Sequence, residues 1–273
     1  ALNRAHTTSY AAIAYQQAYF KAHHPTAFFT AALRTEGKEE KQVGLIQNAE
    51  TKGIDILPPS VNESGPQFTA ADGKEEIRFG LSALKNVGKQ ARRVTQERDE
   101  NGPYESFVGF VTRAIPNLRA VRALIKAGAL DGLELSRKAM FGQKEAALTY
   151  ARKMRDYRNG DRATEPEKPS IEDKPEWAAK TRFQQERSVA GIYTTGRPID
   201  QYPELTRLCD GETWHREHPR HGASDYRARC GSILSVTEAT TKNGDPMWWV
   251  RYLSTDGIRE EPVFEWRYDA IQN

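Results

Sequence analysis

The stretch from Phe79 to Val94 (FGLSALKNVGKQARRV) leaves the backbone few choices. Leu81, Leu84 and Val87 lead into a turn at Asn86 and Gly88, the two residue types that best tolerate left-handed backbone angles. Ala91 and Val94 then resume an apolar face at helical spacing. Two short helices meeting at such a turn predict a helix-hairpin-helix. Amide hydrogens exposed at the turn and at the start of the second helix can hold a phosphate oxygen. Lys85, Lys89, Arg92 and Arg93 lie on or near the same side. The expected nucleic-acid backbone grip comprises Lys85, Asn86, Val87, Gly88, Lys89, Arg92 and Arg93, and it would hold the backbone without reading bases. The plainer account is an ordinary helix pair with a solvated basic face.

Charge distribution sharpens that expectation. The formal charge is only +3, from 40 basic and 37 acidic residues, but the basic residues are not evenly spread. Residues 1–35 carry Arg4, Lys21 and Arg34 with no acid, and residues 78–98 carry six basic side chains against Glu97 alone. With 38% hydrophobic residues in 273, several small cores are expected rather than one large one. Two cysteines, Cys209 and Cys230, do not make a disulfide framework, and no long apolar run suggests a membrane span or signal peptide, so the chain reads as cytoplasmic. The first methionine is Met140, so the chain reads as a processed product or a piece of something longer.

Periodicity predicts helices over 6–24, 26–33 and 38–51, the first stopped by Pro25 and the third closed by Gly53. Short strands are expected at 54–57 and 77–79. Tyr104, Phe107, Phe110 and Val111 then show helical spacing, broken at Pro116. Leu118, Val121, Leu124 and Ile125 form one helical face before a second turn, Lys126-Ala127-Gly128-Ala129. With fewer cationic residues beyond it, this second turn is read as more structural than gripping, with Lys126 and Gly128 as its candidate contacts. A charged helix over 137–157, a Pro/Glu/Lys/Asp-rich linker over 159–175 and a helix over 177–189 follow, while 203–224 reads as loop. Strands are expected over 227–236, 247–253 and 258–264, with Asn243-Gly244 as a hairpin signal. Alternation sets Trp248, Val250 and Tyr252 on one face and Met247, Trp249, Arg251 and Leu253 on the other. Trp248, Trp249 and Tyr252 are candidates for stacking on single-stranded DNA, the alternative being core and edge packing. Cys209, His215, His218, His221 and Cys230 could supply four zinc ligands, but their spacing follows no common zinc pattern, and surface histidines in a basic loop are the plainer account.

The order of these signals resembles the alpha subunit of bacterial DNA polymerase III, the C family of replicative polymerases. The resemblance rests on NRAHTTSYA with AYQ and YFKAHHP (residues 3–25), LPPSVNESG (57–65), IRFGL (77–81), KNVG (85–88), GPY (102–104), LIKAGALD (124–131), AGIYTTGRPID (190–200) and TKNGDPM (241–247). It implies a mainly α protein with a C-terminal β module: a fingers-like helical segment (1–56), a tandem helix-hairpin-helix domain (57–135), a helical and linker segment (136–208) and a partial OB-fold (209–273). It also implies primer-template DNA and incoming dNTP as ligands, and the remaining polymerase domains as partners. Arg4, where the family commonly has Lys, together with His6 and Tyr10, would face the nucleotide. Ala5 stands where the family usually has Ser. Nucleotidyl transfer would use Mg2+ held by palm aspartates, but this chain has no Asp-x-Asp pair, so it is expected to be inactive alone. No good copy of the family's clamp-binding peptide occurs between Leu130 and Trp177, which leaves direct sliding-clamp binding unsupported. The competing reading is a non-catalytic helix-hairpin-helix/OB DNA-binding or repair protein.

Overall fold

The computed structural model describes residues 4–71, 73–196, 198–202, 213–218, 222–227, 231–254 and 257–264. The chain is mainly α with a C-terminal β module and divides into two compact units, residues 1–195 and 196–273.

In the first unit, α1 (Arg4–His23) gives way to α2 (Pro25–Thr35), where Pro25 occupies the first turn and its missing N–H leaves no gap in the helix ladder. After α3 (Glu39–Glu50), Gly53 at φ 79° turns the chain into β1 (Asp55–Leu57). Three short strands form one sheet. β3 (Glu76–Arg78) lies in the middle, parallel to β1 and antiparallel to β2 (Thr69–Ala70). Ile77 at its centre is fully buried.

The apolar spacing read across residues 81–94 is kept, and Leu81, Leu84, Val87, Ala91 and Val94 are all core. The first arm of the hairpin, however, is a single 3-10 turn (Leu81–Ala83), followed by α4 (Gln90–Asn101). A crossing loop shortens that arm. The amides of Leu81 and Ser82 donate to the carbonyls of Gly65 and Pro66, at 3.1 and 2.9 Å. Gly80 lies so close to the Gln67–Phe68 backbone that a Cβ there would overlap it.

α5 (Phe107–Ala114) and α6 (Leu118–Lys126) begin at Ser106 and Asn117, whose side chains accept from Gly109 and Ala120 amides. Asn62 ties the segment before α5 to the loop after β1. Its side chain accepts from the Tyr104 amide and donates to the Tyr104 carbonyl, both at 2.8 Å. The buried Tyr104 hydroxyl donates to Val94 O at 2.8 Å, and the Arg113 guanidinium lies 4.7 Å from the ring centroid. Burial pushes the Tyr104 pKa up to about 12, with Arg113 opposing the rise.

The second turn ends α6 in a Schellman motif. Ala129 N donates to Leu124 O and Gly128 N to Ile125 O, with Gly128 at φ 78°. A Cβ on Gly128 would overlap the Arg137 guanidinium, which is packed over it at the start of α7 (Arg137–Arg158). Arg137 is 2% exposed. It pairs bidentately with Asp131 (2.7 and 2.5 Å) and donates to Glu186 (2.8 Å) on α8 (Ala179–Ala190). Burial opposes the charge on Arg137, but hydrogen bonds and Coulombic attraction from Asp131 and Glu186 more than offset it and raise its pKa. The fully buried Glu186 also accepts from the Thr194 and Thr195 amides and the Thr195 hydroxyl.

Residues 159–178 have no regular structure, yet they are not a free linker. Ile171 and Trp177 pack on the core. Asp173 accepts from Ser136 N, and Glu176 accepts from Arg137 N and Lys138 N at the start of α7, where acidic groups complement the exposed amides.

In the second unit, residues read as loop contain a hairpin of β4 (Thr213–His218) and β5 (Gly222–Arg227). β6 (Ser232–Thr240), β7 (Pro246–Ser254) and β8 (Gly257–Phe264) form an antiparallel meander with β7 central. The Asn243-Gly244 turn is a three-residue loop, closed by Thr241 N to Asp245 O at 2.9 Å, with Gly244 at φ 88°.

Glu186→Ala would remove one of the two carboxylates that hold the buried Arg137 and leave the two threonine amides without their acceptor, and is expected to cost about 3–5 kcal/mol in urea unfolding. Tyr104 keeps its proton in the folded state while the unfolded chain loses it near pH 10, so stability should fall as pH rises from 10 to 12. Alkaline unfolding of Tyr104→Phe should lack that component, although the variant starts about 1 kcal/mol less stable through the lost hydrogen bond.

Candidate nucleic-acid interface

The Asn86–Gly88 turn takes the backbone that its residue types imply, with Asn86 at φ 67° and Gly88 at φ 41°. Val87 between them is 2% exposed, and its amide donates to Leu84 O, so it anchors the turn by packing and offers no surface to a ligand. The Lys85 amide donates to Val189 O at the end of α8, at 2.8 Å. The amide hydrogens of Asn86, Gly88 and Lys89 have no acceptor among the described residues. Asn86, Gly88 and Lys89 are exposed. α4 starts at Lys89 with no side-chain cap, as α2, α3 and α8 also do, whereas α5, α6 and α7 carry Ser106, Asn117 and Ser136 as caps. The first two amides of α4, those of Gln90 and Ala91, donate to Val87 O and Gly88 O, so the unused N–H donors belong to the turn and its junction with the helix, a concavity suited to an anion.

The six basic residues over 78–98 have different roles. Arg78 pairs with Glu63 and donates to Pro58 O. Arg98 donates to the Val61 and Ser64 carbonyls. Both bind the 57–65 segment to the core. Lys85 pairs with Glu39 at 3.0 Å. Lys89, Arg92 and Arg93 are exposed and form no ion pair among the described residues. The available positive charge therefore lies on the turn and the first turn of α4.

A cleft of about 670 Å³ runs along the turn, lined by residues 84–90 and by Arg34, Glu39, Gln42 and Gln67. Nothing in the sequence marks Arg34, an exposed cation on α2, or Glu39 on α3 as part of this site. They are about 50 residues from the turn in the chain, and no local pattern links them to it.

The second turn offers less. Ala127, Gly128 and Ala129 are buried and their amides are used internally, while Lys126 is half-buried with its ammonium 5.9 Å from the Phe141 ring centroid. On α1, residues 6–23 are all exposed, and His6 and Tyr10 share a face with ring centroids 4.6 Å apart. The side chain of Arg4 lies outside the described residues. On β7, Trp249 is 40% exposed, Trp248 is half-buried and Tyr252 is 8% exposed. Trp249 is thus the accessible aromatic of the three, and Tyr252 is a packing residue. Among the described residues, no group of three or more His, Cys, Asp or Glu side chains could hold a metal ion, so no residue here is assigned to Mg2+. Cys209, His221 and Cys230, and the side chains of His215 and His218, lie outside the described residues. No helix among the described residues is long and apolar enough to cross a membrane.

The helix-hairpin-helix motif family model matches residues 53–140. Along nearly its whole length the chain is similar to proteins named DNA polymerase III subunit alpha. It is 37% identical to that of Thermus aquaticus over 282 residues, covering 98% of this chain and 23% of the relative. It is 30% identical to that of Aquifex aeolicus over 281 residues, covering 99% and 22%, and 33% identical to that of Xylella fastidiosa over 223 residues, covering 77% and 19%. The chain spans less than a quarter of the length of these curated relatives. By sequence along nearly all its residues, and by the helix-hairpin-helix at their centre, the chain belongs with the bacterial DNA polymerase III alpha subunits.

Proposed function

We propose that this chain is the duplex-gripping part of a replicative DNA-directed DNA polymerase. Its hairpin holds the sugar-phosphate backbone of primer-template DNA, and α1 presents Arg4, His6 and Tyr10 toward the incoming dNTP. Nucleotidyl transfer takes place at palm carboxylates outside these residues, so the work of this part is positioning. One observation carries the reading: three unused amides in the turn that leads into α4, those of Asn86, Gly88 and Lys89, with Lys89, Arg92 and Arg93 exposed beside them. Amides and cations are the donors that engage phosphate oxygens irrespective of base sequence. The second turn supports the path of the duplex through its fold rather than through free donors, with Lys126 as its peripheral charge. Trp249, exposed on its face of β7, serves as a stacking platform for single-stranded template.

The hairpin is tested by Lys89→Ala combined with Arg92→Ala. Duplex affinity measured by fluorescence anisotropy should fall nearly equally for unrelated sequences. The slope of log affinity against log salt should become shallower by about 2, since each phosphate that is no longer neutralised removes about 0.9. Unchanged affinity at low salt removes the assignment. For the β module, Trp249→Ala should weaken single-strand binding by about 1–3 kcal/mol with the fold intact, whereas Tyr252→Ala should lower the stability of the sheet itself.

A further inference from the structure

Among the described residues, Glu39 is the one acid paired with a cation of the hairpin turn. It stands in the first turn of α3, with Oε1 3.0 Å from Lys85 Nζ, and both side chains are about half exposed. Glu39, Lys85, Asn86, Gly88 and Lys89 line the same cleft. The Glu39 side chain lies against the end of α8. Gly191, which ends α8 at φ 75°, sits so close that a Cβ there would lie 3.1 Å from Glu39 Oε1 and 3.2 Å from its Cγ. The Lys85 backbone is fixed through its amide bond to Val189 O, so the ammonium can change partner without moving the turn. An ion pair this exposed is weakly held and screened by salt.

We infer that Glu39 acts as an internal stand-in for DNA phosphate, occupying Lys85 in the free protein and yielding it when a duplex backbone enters the cleft. This rests on the hairpin being the backbone grip and adds a residue that sets its strength. Lys85 then contributes little to counterion release in the wild-type protein, because its gain of a phosphate is matched by exposure of Glu39. The pair restrains loose binding, while the unused amides, Lys89, Arg92 and Arg93 supply the main attraction.

The test uses the whole chain and a fixed DNA duplex titrated by anisotropy over a range of salt. Glu39→Gln should tighten binding about two- to fivefold at low salt and steepen the log–log salt slope by about 0.9. In a Lys85→Gln background the same substitution should have no effect. Equal tightening in both backgrounds would make Glu39 a general repulsive charge and overturn the exchange. No tightening by Glu39→Gln, with Lys89→Ala/Arg92→Ala still weakening binding, would overturn the exchange and leave the grip standing. If that double variant binds normally, both readings fall. Thermal unfolding of Glu39→Gln should match wild type, which separates lost folding from changed affinity.

Discussion

The candidate site depends on the left-handed turn at Asn86 and Gly88, held rigid from below. Val87 is sunk in the core, and the Lys85 amide is fixed to Val189 O, so the turn cannot use its remaining donors by folding inward. With left-handed angles at both flanking positions, those amides stay on exposed residues without an acceptor among the described residues.

The two turns of the helix-hairpin-helix region show how similar local patterns serve different ends. Lys126-Ala127-Gly128-Ala129 also carries a glycine with positive φ, but its amides close α6 in a Schellman motif, and its surface is covered by Arg137. A buried guanidinium demands carboxylates, and Asp131 and Glu186 supply them, with Glu186 further holding Thr194 and Thr195. This turn is an internal joint between α6, α7 and α8. The GIYTTG segment, read from sequence as a family signature, supplies part of that joint.

Much of the fold was legible in the sequence because it follows from local chemistry. The order of the helices from α1 to α8, and of β1 and β3 among them, came from apolar spacing and from Pro25, Gly53, Pro116 and Gly128 as punctuation, while the two-residue β2 left no signal. Where local signals are weak, the reading failed. The β4–β5 hairpin is hidden in a segment rich in His, Arg and Glu without apolar alternation, and residues 159–178 have a linker's composition although their acids cap α7. On β7, alternation separated the faces, but it could not say that Trp249 is accessible and Tyr252 covered.

By itself, the sequence determined that a tight left-handed turn would join two short apolar patterns amid positive charge, because only φ preference and residue spacing are needed for that. Tertiary structure alone decided which charges remain available. Arg78 and Arg98 are used to hold the 57–65 segment, Lys85 is met by Glu39 from a distant helix, and Lys89, Arg92 and Arg93 stay exposed. The physical reason is that an ion pair depends on separation in space, and the chain brings together groups that no local pattern connects.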